Sequence, residues 1–238
     1  DYLLPNKYDW TLRGDEYVES SLVSKVVYAV GEHRVDLRLD RIAGTRQIHF
    51  YGNRDLLNYP RYREFDWGKL YKELFRPTNK LQGKINKLRN SIGNNYFSIV
   101  YRFQNLLGDF EEYDFKSLSS VKERNAYINI CVQELLRLQE KEGMMPCLVT
   151  SDSLHFLDRI KDIPNVHIIP GSLVHMGSNR NGTYEQYEKS FLDFYMLAGS
   201  TKIYNVVYND MYPSGFPLYA SKLNSIPFER IILKQEYA

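Results

Sequence analysis

A doubly wound α/β fold, with a mostly parallel Rossmann-like sheet and a smaller, divergent N-terminal region, is the class this sequence predicts. Three observations carry that prediction. From Tyr96 to Leu233 short apolar runs alternate strictly with segments of helical period, as a parallel sheet covered on both faces requires. The first of those runs, Phe97 to Arg102, ends in a cation beside a loop closed by Gly108-Asp109, which is how such a sheet presents a ligand edge. The chain has 238 residues, 43% of them hydrophobic and 25% charged, enough to bury one large core or two small ones.

Taken in order, Asp1 to Glu19 is polar, aromatic and without period, and reads as an extended arm packing through residues such as Trp10. Ser24 to Val30, Arg34 to Arg41 and Gln47 to Tyr51 read as strands set apart by Gly31 and Gly44. Within the second, Val35-Asp36-Leu37-Arg38-Leu39-Asp40 alternates as a half-exposed strand should. Asn53 to Glu64 reads as loop. Trp67 to Phe75 and Lys80 to Ser91 read as helices, the second opened by Pro77-Thr78. The pattern breaks at Ser91 to Asn95, around Gly93 and several asparagines, which predicts an N-terminal region over 1–92 and a sheet domain over 93–238.

Beyond that break, Ser119 to Glu142 places Val121, Ile128, Cys131, Leu135 and Leu138 on one face of a long helix started by a serine-rich cap. Met145 to Thr150 is a strand, Asp152 to Ile160 a helix, and Val166 to Ile169 a strand stopped by Pro170-Gly171. A polar loop from Ser172 to Thr183 leads into a helix over Tyr184 to Ala198. Lys202 to Val207 is a strand, Ser214 to Asn224 a helix and Phe228 to Leu233 the last strand.

Composition excludes several classes. A net charge of +2 without a basic run argues against non-specific nucleic-acid or membrane-surface binding. Twenty tyrosines suit half-wet surfaces and sugar-facing clefts as well as cores. The two cysteines, Cys131 and Cys147, sit in a helical and a strand pattern and read as buried thiols, with no disulfide framework. His33, His49, His155, His167 and His175 lack metal-ligand spacing, and no Asp-x-Asp triplet, Walker or Gly-x-Ser-x-Gly motif occurs, so neither a metal nor a bound cofactor is expected. One sequon, Asn181-Gly182-Thr183, lies in a polar loop. No apolar run has the length of a membrane span and no leader pattern is visible, so the expected location is cytoplasmic or membrane-associated.

The loops predicted at the ligand edge are Arg102 to Asp109, Ser151-Asp152-Ser153, Gly171 to Gly177 and Tyr212 to Phe216. In the last of these a Ser214-Gly215 pair opens a helix and offers an anion seat, while Arg102 adds a planar fork suited to a diphosphate. The plainer alternatives are that Arg102 pairs with Asp109 or Glu111, that Ser214 is only a cap, and that Asp152 caps the helix after it.

Together these loops resemble the nucleotide-sugar half of the fucosyltransferase superfamily with a GT-B fold, the group of α1,2-, α1,6- and protein O-fucosyltransferases. The likeness runs from about Phe75 to Leu233 through LFRP, SIVYRFQNLLGDF, VTSDS, IIPGSLVHM, SFLDFYML and YPSGFPLYAS. The resemblance implies that Arg102 binds the diphosphate of GDP-fucose, that Ser151 and Asp152 contact the nucleoside, and that Ser214, Gly215 and Phe216 hold phosphate and pack by the nucleotide. It assigns Asp193 as the acidic residue of the penultimate helix. His175, on a ligand-edge loop, is expected to contact sugar or phosphate. Two departures stand out: Val100 occupies the place of the histidine in a His-x-Arg signature, and the Gly-rich N-terminal motif is missing.

The expectation is a metal-independent, inverting glycosyltransferase moving a sugar from a GDP-sugar donor to a glycan hydroxyl, with Arg102 at the leaving group. Asp109, Asp36 and Glu32 are the candidates for general base. The alternatives are an inactive module that binds a sugar nucleotide or glycan, and an unrelated doubly wound enzyme.

Overall fold

The computed structural model of the chain describes residues 2–11, 24–29, 47–52, 65–109, 116–173 and 183–234. Contacts divide the chain into two compact units, one of Asp1–Leu4 with Phe75–Ala238 and one of Pro5–Leu74. The break in sequence pattern at Ser91 to Asn95 falls inside the larger unit, as the turn between a helix and the first strand of its sheet.

In the smaller unit β2 (Ser24–Ala29) pairs in parallel with β3 (Gln47–Gly52), Ser24 opposite Gln47. Helix α1 (Trp67–Leu74) ends against the N-terminal arm. The last carbonyls of a helix have no partner within it. Here Lys72 O accepts from Asn6 Nδ2 at 2.7 Å, Glu73 O from Lys7 N at 2.8 Å and Leu74 O from Trp10 Nε1 at 2.7 Å. The arm therefore packs through Trp10 as a helix cap. The alternating stretch over residues 35–40 lies outside the described residues.

The larger unit opens with β1 (Leu3–Pro5) beside β4 (Phe75–Pro77), two short strands that the sequence pattern did not disclose. Just ahead of them the Tyr2 ring stacks on Tyr184 at 3.9 Å and on Phe191 at 4.4 Å. Thr78 caps α2 (Asn79–Ile92), its hydroxyl accepting from Leu81 N at 3.3 Å. The body is then β5 (Phe97–Tyr101), α3 (Val121–Lys141), β6 (Cys147–Ser151), α4 (Leu154–Ile160), β7 (Val166–His167), α5 (Tyr184–Leu197), β8 (Ile203–Tyr208), α6 (Phe216–Leu223) and β9 (Phe228–Leu233). The five strands form one sheet in the order β7-β6-β5-β8-β9, every neighbouring pair parallel. This is the doubly wound, Rossmann-like arrangement.

Strands β5, β6 and β8 are buried at every position, which is why they read as continuous apolar runs rather than alternating ones. The core joins Phe97, Ile99, Tyr101 and Val149 from the sheet to Cys131, Leu135 and Leu138 of α3 and Phe156 of α4. Val121 departs from the predicted face: it opens α3 and is 69% exposed. Ser120 and Glu123 form a full capping box there. Both cysteines are free and fully buried, and burial drives both thiols well above their usual pKa. None of the described helices is long and apolar enough to cross a membrane.

Candidate functional site

Strand order fixes where a ligand site forms. From β5 the chain winds outward through β6 and β7, then returns to lay β8 on the other flank of β5. Connections therefore diverge between β5 and β8 and leave a crevice at the carboxyl ends of those strands. Arg102 follows β5 directly, and the loop from Asn209 to Gly215 follows β8. The two loops meet, since Tyr212 N donates to Arg102 O at 3.1 Å.

The β5 loop is held by a carboxylate from its neighbour. Asp152, just past β6 and 6% exposed, accepts from Phe103 N at 2.8 Å and Gln104 N at 2.7 Å, and its Oδ2 lies 3.1 Å from Arg102 Nη1. Gln104 sits at φ +53°, a left-handed conformation that costs a non-glycine residue about 1 kcal/mol or more. The Asp152 bond to its amide offsets that strain. Burial raises the Asp152 carboxyl above its ordinary range, while Arg102 and the two amides oppose the shift by favouring the charged form. Ser153, not Asp152, is the N-cap of α4, accepting from Phe156 N at 3.1 Å, so the helix begins two residues later than predicted.

Asp109 returns the favour from the other side. Its Oδ2 accepts from Ser153 Oγ at 2.9 Å and from His155 N at 2.7 Å, so the β5 loop caps the start of α4 while the β6 loop holds the β5 loop. Its side chain is 9% exposed, and Oδ1 is buried without a partner among the described residues. Arg102 pairs with Asp152 and not with Asp109, while Glu111, the other expected partner, lies outside the described residues.

Across the crevice the structure adjusts the expected anion seat. Helix α6 starts at Phe216 rather than Ser214, with Gly215 as N-cap. Ser214 Oγ accepts from Phe216 N at 3.2 Å, and Pro217 in the first turn has no N–H to give. Fewer amides are free than a Ser-Gly start suggests, but the Ser214 hydroxyl hydrogen remains available as a donor. Phe216 is 38% exposed, with its ring 5.6 Å from that of Phe194 on α5.

Two residues that sequence reasoning passed over hold this loop. Arg230 of β9 donates to Ser214 O at 2.9 Å and to Asn205 Oδ1 at 3.0 Å, and Asn205 Nδ2 donates to Val100 O at 3.2 Å. The relay ties the Ser214 loop to β5 two residues before Arg102. Asn205 is completely buried in β8, and an asparagine inside the run IYNVVY is the signal that could have exposed it, because a buried amide must be bonded. Gln104, in the β5 loop, was also passed over and carried no such mark.

Of the other predicted residues, Ser151 is buried at the end of β6, its Oγ accepting from Ser153 N at 3.2 Å. Asp193 lies on α5 in a buried ion pair, Oδ2 2.6 Å from Lys189 Nζ, and its Oδ1 has no partner among the described residues. Burial pushes the Asp193 carboxyl up and Lys189 opposes it. Gly171, at φ +142°, lets the chain after β7 cross this pair, since a Cβ there would meet Lys189 Cβ at 3.0 Å. His175, Asp36 and Glu32 lie outside the described residues. Among the described residues no three metal-binding side chains cluster.

With that geometry in view, the fold of the chain is similar to part of a solved fucosyltransferase structure. A structure of an Arabidopsis thaliana FUT1 mutant in complex with GDP matches with a TM-score of 0.53 and 14% identity over 93% of this chain and 52% of that one. NodZ alpha-1,6-fucosyltransferase soaked with GDP-fucose gives a TM-score of 0.47 and 13% identity over 75% and 51%. Fucosyltransferase NodZ from Bradyrhizobium gives 0.45 and 13% over 75% and 52%. The chain spans about half the length of these proteins. No family model and no curated protein sequence matches it.

Proposed function

We propose that the protein is a glycosyltransferase of the fucosyltransferase type, moving a sugar, fucose in the first instance, from a GDP-sugar to a glycan hydroxyl with inversion. The observation that carries this reading is Arg102, anchored by Asp152 at the switch point of the sheet and facing a Ser214 loop that is itself locked to β5. A guanidinium held in place before the ligand arrives needs no reorganisation as charge builds on a leaving diphosphate. Ser214 adds a hydroxyl donor and the N-terminus of α6 a favourable dipole. Phe216, half open and braced by Phe194, offers a face for the nucleoside.

In this reading Asp152 serves the donor through Arg102, since its oxygens are already engaged by the protein. The acceptor hydroxyl attacks the anomeric carbon from the face opposite the diphosphate, and a carboxylate must take its proton. Asp109 is committed through Oδ2 to the start of α4. That commitment favours Asp36 or Glu32 for the base, and it is also the one observation that favours the second reading, a module that binds the sugar nucleotide without turning it over.

The test is a thermal-shift panel of GDP, UDP, CMP and their sugars, followed by turnover of GDP-fucose with a mixed glycan acceptor. A ligand bound by the folded state alone raises the melting temperature. The expected result is a shift with GDP and GDP-fucose and none with UDP or CMP. Stabilisation without turnover selects the binding module; no stabilisation by any guanine nucleotide rejects both.

A further inference from the structure

We infer that the groove between the first half of α3 and α4 is a second binding site, for a saccharide bearing an oxyanion such as phosphate, sulfate or carboxylate. The cavity there encloses about 580 Å3, within the range of small-ligand sites. Its floor is apolar, with Leu107 from the β5 loop and Ile128 from α3, and Val121 stands exposed at its rim. Its walls carry Arg124, Asn125 and Asn129 from α3 and His155 and Arg159 from α4.

The electrostatics favour an anion. Asp158, the acidic group on the lining, pairs with Lys161 at 2.6 Å, and among the described residues neither Arg124 nor Arg159 has a carboxylate partner. His155 Nδ1 lies 3.7 Å from Asp109 Oδ2, a carboxylate outside the lining. Neither Arg159 nor the terminal nitrogens of Arg124 meet an acceptor among the described residues.

Arg124 is also held ready. Its Nε donates to Leu118 O at 3.0 Å, and its guanidinium lies face-on over Gly108: a Cβ at that glycine would meet Nη1, Cζ and Nη2 at 3.0, 3.1 and 3.2 Å. Gly108 adopts φ +76°, so glycine is favoured there by conformation and by this close approach alike. The outer edge of the guanidinium, the part that pairs with an oxyanion through two parallel bonds, is left for a ligand. Two side-chain amides one helical turn apart match sugar hydroxyls, and Val121 with Leu107 match the apolar face of a pyranose. Apart from the His155 imidazole, no aromatic ring of the described residues lines the groove.

Binding is measured by calorimetry on the full chain with a sulfated heparin-derived disaccharide, its unsulfated counterpart, a hexose 6-phosphate and inorganic phosphate. The charged saccharides are expected to bind, and Arg159→Gln, at an exposed position without an acceptor among the described residues, to weaken them about tenfold, the scale of one charge-assisted contact. Arg124→Gln, which keeps much of the side chain's bulk over Gly108, acts in the same direction. Lys87→Gln, on the exposed surface of α2, is expected to change nothing. Saturation with GDP is expected to leave the saccharide affinity unchanged. The proposal is overturned if none of the charged saccharides binds, if inorganic phosphate binds as tightly as the hexose phosphate, if Lys87→Gln costs as much as Arg159→Gln, or if GDP competes. Because the readout is direct binding, a chain that fails to bind GDP leaves this test intact.

Discussion

At the scale of single residues the site rests on a division of labour between Arg102 and Asp152. Arg102→Lys keeps a charge but loses the planar fork, so GDP affinity is expected to fall about ten- to a hundredfold, matching the 1.5–3 kcal/mol of a charge-assisted contact, with the melting temperature little changed. Asp152→Ala is expected to behave differently. It strips two backbone amides of their acceptor, releases the strained Gln104 and removes the carboxylate beside the part-buried Arg102, so both stability and GDP affinity should drop, stability by about 2 kcal/mol or more. Chemical denaturation and calorimetry on the pair separate the two roles. Normal GDP binding by a folded Arg102→Lys removes this arginine from the site.

At the scale of elements, the sequence revealed most where burial is complete. Strands such as FSIVY and CLVTS, buried on both faces, announce themselves as apolar runs, and the Ser120 and Thr78 starts announce their helices. Helix ends near the crevice were misplaced because caps there also serve the loops: α4 begins after Ser153 and α6 after Gly215, not at Asp152 and Ser214. The pairing of β1 with β4 escaped notice because three-residue strands have no period to read. Helix α5 holds a feature that sequence shows only as spacing, Lys189 and Asp193 four apart, which the fold buries to 3% and 11% of their side-chain surface. Removing one partner strands a buried charge, whereas replacing both with apolar groups does not. Lys189→Met and Asp193→Leu are each expected to cost about 3 kcal/mol or more and their combination to be near neutral in a denaturation cycle. If the double variant keeps its GDP affinity, Asp193 is a structural member of α5 and not a donor contact; a lost affinity in that stable variant supports the donor role.

At the scale of the whole molecule, the winding order of the sheet decides where charge can be placed, and this too was legible: strict alternation of strand and helix put four loops on one edge. Which partners those loops choose was not legible, because Asp152 with Arg102, Asp109 with Ser153 and Arg230 with Ser214 join residues up to 50 positions apart in sequence. The consequence for mechanism is electrostatic. A leaving GDP develops negative charge that must be met either by a divalent cation or by groups of the protein. Here Arg102 and the Ser214 hydroxyl lie on the loops that follow β5 and β8, and among the described residues Asp152 is engaged by loop amides and Arg102, Asp109 through Oδ2 by Ser153 and His155, and Asp210 by Lys116. A carboxylate already sharing its oxygens with an arginine and two amides is a poor ligand for magnesium, which asks for near-ideal octahedral oxygen geometry. Transfer from GDP-fucose should therefore proceed in excess EDTA at nearly the rate seen with magnesium or manganese, measured at saturating donor. A fall of about tenfold or more, equivalent to roughly 1.4 kcal/mol of barrier, that added magnesium restores would mean a cation shares the leaving-group charge and that Arg102 does not carry it with Ser214 alone.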